Sequence, residues 1–310
     1  MINGRNIYAP IILFAFNRLN PLKACVASLL RNTESADSDL IVYIDGPRSD
    51  NSDDREKVAT VREFVKSITG FKSLEMHFSE TNKGLGASII AGVTEIINRY
   101  GRAIVVEDDL VASSNFLAYV NAGLNKYEGI QNVFSICGYS NKIRMPKGYN
   151  YDSYFCSRSS SWGWATWKDR WNSCDWELDD WESVKRNKKA FNHWGGSDCF
   201  GMLQGWKDGR NQSWAIRFCY NQFIHNTVSL FPIISKIDNE GFDGNGTNCT
   251  SYNRFKFVFD NSDNKSFNMP ESVAVNSGLW RDAMKYNTIS IRIYSKIMNM
   301  LYKFKVAQKK

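Results

Sequence analysis

The sequence is 310 residues long with 43% apolar and 23% charged side chains, the balance of an ordinary soluble globular protein, and has room for one large domain or two intimately packed ones. Its formal charge of +7 sits in the tail: residues 281–310 carry eight Lys or Arg against the single acid Asp282, so the body is neutral and no nucleic-acid partner is expected. Seven scattered cysteines, an odd number without a C-x-x-C pair, exclude a disulfide framework and a zinc ribbon and fit a reducing compartment.

Ala9–Phe16 is a continuous apolar run bounded by Pro10 and by Asn17-Arg18, the pattern of a strand buried on both faces of a parallel sheet. Its core, PIILFAF, is too short for a signal peptide, and no stretch approaches the roughly 20 apolar residues of a membrane span. Asn20-Pro21 opens a helix to about Arg31, with proline in the first turn. Leu40–Ile44 is a second strand ending in the turn Asp45-Gly46-Pro47. A polar loop from Ser49 to Glu56, a helix to about Ile68 and a third strand over Leu74–Phe78 follow. The segment Asn82–Arg99 starts NKGLGA and places Ile89, Val93, Ile96 and Ile97 at helical spacing. Arg102–Val106 is the fourth strand.

That strand ends in three consecutive carboxylates, Glu107, Asp108 and Asp109. Like charges side by side repel, so the triplet makes sense if a cation shares the site. An acidic cap on the helix that begins near Ser113 is the alternative. Strand and helix alternate over the first 125 residues, which argues for a mostly parallel α/β sheet. Ligands bind beyond the carboxyl ends of such strands, where Asn17-Arg18, Asp45 and the triplet should converge.

After a helix over Ser114–Glu128 and a strand over Val133–Cys137, regularity fades. Aromatics reach 14% with ten tryptophans, and Ser157–Trp171, SRSSSWGWATWKDRW, holds four of them; such rings pack cores or stack on sugars. A helix over Asp179–Phe191, a Gly-containing stretch over Gly195–Gly209, a helix over Ser213–His225, a strand over Val228–Ile234 and a Gly-rich loop over Asp238–Asn248 follow. Three expected units result: residues 1–130 and 131–275 as halves of one body, and 276–310 as a tail. In the tail, Ile289, Ile293, Ile297, Met300, Leu301 and Phe304 alternate with Arg292, Lys296 and Lys303, the pattern of a basic amphipathic helix. It reads either as a membrane-surface element or as a terminal helix packed on the body. His77, His193 and His225 lack metal-ligand spacing and read as structural.

PIILFAFNR, VYIDG, NKGLGA and IVVEDDLVASSNFLAYV in this order resemble the GT-A-fold bacterial glycosyltransferases, distantly similar to N-acetylglucosaminyltransferase I, over roughly residues 8–250. The resemblance implies a GT-A-like sheet with an irregular acceptor-side half. It gives Asn17, Arg18, Asp45, Lys83 and Gly84 to the nucleotide, turns Glu107 and Asp108 toward the sugar-nucleotide, and makes Asp109 the ligand of Mn2+ or Mg2+. Trp162, Trp164 and Trp214 become the sugar and acceptor wall. Where the family has an acid before the tryptophan, this chain has Asn211-Gln212-Ser213, and glutamine cannot accept a proton as a carboxylate does. Either Asp208 reaches in from the preceding loop as the substitute general base, or the register of the match shifts here, or the base lies elsewhere. The family's late metal-associated histidine is replaced by Asn248.

These readings imply a metal-dependent, inverting transfer of sugar from a nucleotide-diphosphate donor, UDP-sugar favoured, to a hydroxyl of a glycan acceptor in surface polysaccharide assembly. A tail bound to an anionic membrane would imply a lipid-linked acceptor. The setting is cytoplasmic, free or peripheral at the inner membrane face. A catalytically silent glycan- or nucleotide-binding protein and a sugar nucleotidyltransferase are the alternatives.

Overall fold

The computed structural model describes residues 8–242 and 252–307, with the backbone alone for 303–307. Four strands form a parallel block: β1 (Ile11–Ala15), β2 (Asp39–Ile44), β3 (Ser73–Phe78) and β4 (Arg102–Glu107). Ile11 lies opposite Leu40 on one side and Ile104 on the other. Side chains alternate along a strand, so each apolar run feeds two cores. Ile11, Leu13, Val42 and Val106 face α1 (Leu19–Leu30), α2 (Ser52–Lys66) and, beyond β5 (Leu110–Ala112), α4 (Phe116–Tyr127). Ile12, Phe14, Ile41 and Val105 face α3 (Leu85–Tyr100), whose Ile89, Val93, Ile96 and Ile97 are fully buried.

The second half completes the same sheet. β6 (Val133–Cys137), β7 (Ser153–Cys156), β8 (Trp164–Trp167) and β9 (Val228–Pro232) extend it to the order β3-β2-β1-β4-β8-β6-β9-β7. β8 pairs antiparallel with both β4 and β6, and β6 runs parallel to β9. The result is a mixed, mostly parallel α/β sheet flanked by helices, as expected, with residues from both sides of position 130 in one sheet. A separate two-stranded antiparallel ribbon joins β5 to β10 (Ile237–Asn239).

Short helices fill much of the second half: α5 (Lys168–Asn172), α6 (Trp181–Arg186), α7 (Lys188–Gly195), α8 (Cys199–Lys207) and α9 (Trp214–Ile224). The single helix expected over Asp179–Phe191 is two, joined at Asn187, which ends one and starts the next. β7, β8 and α8 lie in stretches that read as irregular, because four-residue strands are too short to display a period and Gly-rich sequence reads as loop. α10 (Ser277–Met284) and α11 (Ile289–Ala307) close the chain. The six cysteines among the described residues are free thiols, and no described helix is long and apolar enough to cross a membrane. Asn248, the rest of the loop from Asp243 on, Lys309 and Lys310 lie outside the described residues.

Candidate active site

Parallel neighbours end on the same edge, and the ends of β1, β2 and β4 bring Arg18, Asp45 and the acid triplet to one region. Arg18 Nη2 donates to Asp108 Oδ1 at 2.9 Å and to Asp109 Oδ2 at 2.8 Å. A cation does share the triplet, and it is the chain's own arginine. Expected against base and ribose, Arg18 instead binds the acids, while its Nη1 is buried without a hydrogen-bond partner.

One guanidinium does not balance three carboxylates. Burial, with Asp109 and Asp108 alongside, pushes Glu107 up to about 8, Arg18 opposing. Burial also pushes Asp108 up to about 6, against the pull of Arg18. Burial disfavours the Arg18 charge, but the two aspartates more than offset this and hold its pKa above the ordinary value. The site as built is short of positive charge.

The other nucleotide candidates are engaged by backbone and side chains. Asp45 Oδ1 accepts from the N–H of Gly46 at 2.9 Å and of Lys83 at 2.8 Å, and its Oδ2 from Gly84 at 2.9 Å. It ties the end of β2 to the start of α3, and Gly84 adopts φ +79° there. A Cβ on Gly84 would collide with the Gln212 side chain, so the Asn211-Gln212 turn rests against this entry to α3, while Ser213 caps α9. Asn17 turns away: its Nδ2 donates to buried Asp54 at 2.7 Å, which Arg48 also binds and holds at about 2.

Three expectations need correcting. Trp164 and Trp214 are 1% and 4% exposed and stack on each other with centroids 5.0 Å apart, so they are core and offer no face to a sugar. Asp208 ends α8 at the surface, where Arg210 and Gln204 bind its two oxygens, both at 2.7 Å, and hold its pKa low. A carboxylate so paired is a poor base, and no described contact joins it to the triplet.

Trp162 is different. Partly buried, it meets Tyr139, Phe242 and Phe255 edge-on, and Phe242 follows Gly241, which packs directly on the Asp109 carboxylate.

The ribbon supplies what the sequence did not point to. Asp109 C=O accepts from Glu240 N–H at 2.9 Å, and Val111 lies opposite Asp238. Opposed residues share a face, so Val111 and Asp238 stand on one side of the ribbon, while Leu110, Ala112, Ile237 and Asn239 fill the other and are buried. Asp109 and Glu240 lie just beyond the last pair, where Glu240 opens a short 3-10 turn, and a Cβ on Gly241 would meet both the Asp109 and the Asn239 side chains. Asp238 is partly buried, and its pKa is raised by that burial. Its charge reaches Tyr139, the ring against Trp162.

No protein-family model matches the chain, and no curated protein matches it in sequence. Among solved structures it is similar to the mannosyltransferase PcManGT from Pyrobaculum calidifontis in complex with GDP-Man and Mn2+, at 9% identity and TM-score 0.36, over 53% of this chain and 46% of that one. It is also similar to S. aureus TarS, at 12% identity and TM-score 0.29, over 46% of this chain and 23% of that one. At these scores the likeness carries no argument about what this chain binds or does.

The residues themselves fit a hard divalent cation. The donors are all carboxylate oxygens, the acids outnumber their arginine, and a Cβ at position 241 would fill the space that Asp109 Oδ2 borders. The three carboxylates do not converge as a closed cage. Among the described residues, the one grouping of three potential ligand atoms within 4.8 Å is Glu75, His77 and Glu95. There Arg99 binds both Glu75 oxygens, at 2.8 and 2.9 Å, and supplies the positive charge, while His77 stacks on Tyr43.

The signal for Asp238 was slight, one acid in a three-residue strand. It was hidden because DNEGFDGNG reads as a glycine loop.

Proposed function

We propose that this protein is a GT-A-type, metal-dependent glycosyltransferase of the kind distantly similar to N-acetylglucosaminyltransferase I. It moves a sugar from a nucleotide-diphosphate donor, UDP-sugar favoured, to a hydroxyl of a glycan acceptor with inversion. The fuller form of the reading sets it in cytoplasmic surface polysaccharide assembly on a lipid-linked acceptor. One observation carries it: at the carboxyl edge of the parallel strands three successive acids, Glu107, Asp108 and Asp109, are met by the single arginine Arg18, and the end of β10 is hydrogen-bonded back onto Asp109.

Asp109 is the direct ligand of the metal, with Asp108 adding negative potential and Glu107 joining it once the cation's charge favours its ionised form. When bound, Mn2+ or Mg2+ offsets the charge that builds on the departing nucleotide diphosphate. Arg18 holds Asp108 and Asp109 in place. Lys83 and Gly84 border the nucleotide, and Trp162 offers an aromatic face to the sugar. Asp238 replaces Asp208 as general base. It takes the proton of the acceptor hydroxyl as that oxygen bonds to the anomeric carbon and the bond to the diphosphate breaks. Its raised pKa suits a proton acceptor in a half-buried wall.

The test is a panel of UDP- and GDP-sugars with Mn2+ and glycan acceptors, read as free nucleotide diphosphate. Release with one donor is the expected result. Pyrophosphate release would point to a nucleotidyltransferase. Binding without release would favour a silent binder, a reading that the Arg18 bridge supports because it already partners two of the acids.

A further inference from the structure

α11 is amphipathic in the inverse sense to a helix packed on a soluble body. Ile289, Ile293, Ile297, Met300 and Leu301 recur at three- and four-residue spacing, and they are 61, 53, 47, 56 and 48% exposed. The side turned inward is mixed: Ile291 and Met298 are partly buried, Ser295 is buried, Asn299 Oδ1 accepts from the backbone N–H of Tyr252 at 2.9 Å, and Arg292 Nη1 donates to Ser197 Oγ at 3.3 Å. The helix is thus held by a few polar contacts and two partly buried apolar side chains, and leaves its larger hydrophobic face outward. Of the two sequence readings of the tail, a helix burying its apolar face on the body is not what the structure contains.

We propose that α11 lies in the plane of an anionic phospholipid bilayer, its isoleucine face at the acyl boundary and Lys296 among the headgroups. Nineteen residues at about 1.5 Å each make a rod about 28 Å long, and no described helix is apolar enough to cross a membrane. An in-plane seat is what such a helix can adopt. Charge selects the occupant. A second copy would cover the apolar face but would bring together two tails, each with eight basic residues against one acid. An anionic lipid surface satisfies the apolar face and the charge together. The inference stands on α11 and does not need the sugar-transfer reading.

The test is co-sedimentation of the full-length protein with phosphatidylcholine vesicles, with and without phosphatidylglycerol, at low and high salt. The protein should pellet with the phosphatidylglycerol vesicles at low salt and less so at high salt. The double variant Ile293→Asp/Ile297→Asp should lose about tenfold or more in binding, with an unchanged thermal melt showing that the body is folded. Lys296→Glu should weaken binding to the anionic vesicles alone. Equal binding by the double variant and the parent, or no binding to anionic vesicles at low salt, would overturn the proposal. So would a self-association that the double variant abolishes, which would assign the face to a second copy.

Discussion

Arg18 sets the character of the acid triplet, because one nitrogen serves Asp108 and Asp109 together. Arg18→Ala leaves a nearly buried carboxylate unpaired, and we expect a loss of about 2–4 kcal/mol in urea unfolding at neutral pH, below a fully buried pair because Arg18 is partly exposed. Asp238→Asn should lower kcat by about 10²–10⁴-fold while calorimetric binding of nucleotide with Mn2+ is kept. Asp208→Asn should leave kcat unchanged, and the reverse pattern would return the base to the α8 end. Asp109→Ala should abolish metal-dependent nucleotide binding with the fold intact; unchanged binding in Mn2+ would remove it from the metal site.

The ribbon of β5 and β10 is the element that ties the acid triplet to the second half of the chain, and a buried ion pair anchors it. Lys236, just before β10, pairs with Asp260, and both are less than a tenth exposed. Burial opposes the Asp260 charge, but Lys236, Ser262 and Asn115 more than offset this and hold the carboxyl at about 2. A depressed carboxylate contributes stability above its ordinary value of 3.8, and that contribution disappears as pH falls from there through about 2. Wild-type protein should lose about 2 kcal/mol more than Asp260→Asn between pH 5 and pH 2; parallel unfolding curves would refute the anchor. Asp238 was legible as a ribbon residue only once its partner strand was known. That partner lies more than a hundred residues earlier, and a three-residue strand has too few side chains to announce its own period.

At the scale of the molecule, β8 from the second half sits between β4 and β6, so neither half can close its hydrophobic faces alone. Calorimetry should show one cooperative transition, and two resolved transitions would separate the halves. Donor nucleotide-sugar with Mn2+ at a hundredfold excess over Kd should stabilise the protein by about 2.7 kcal/mol, a rise of roughly 5 °C in Tm. The sequence alone determined β1, β2 and β4, because strands covered on both faces must be continuous apolar runs, and it placed the triplet at a strand end, because charge cannot continue into that core. The tryptophans of SWGWATW stayed ambiguous, since a ring destined for a core and a ring destined for a sugar have the same chemistry. Only the pairing of β8 with β4 buried Trp164, and only the turn of the chain left Trp162 beside Phe242. Likewise the two faces of α11 are plain in its residues, but which one meets the body depends on the neighbours it finds. Ser197 and Tyr252 offer hydrogen-bonding partners to Arg292 and Asn299, so that side turned inward and the isoleucine face did not.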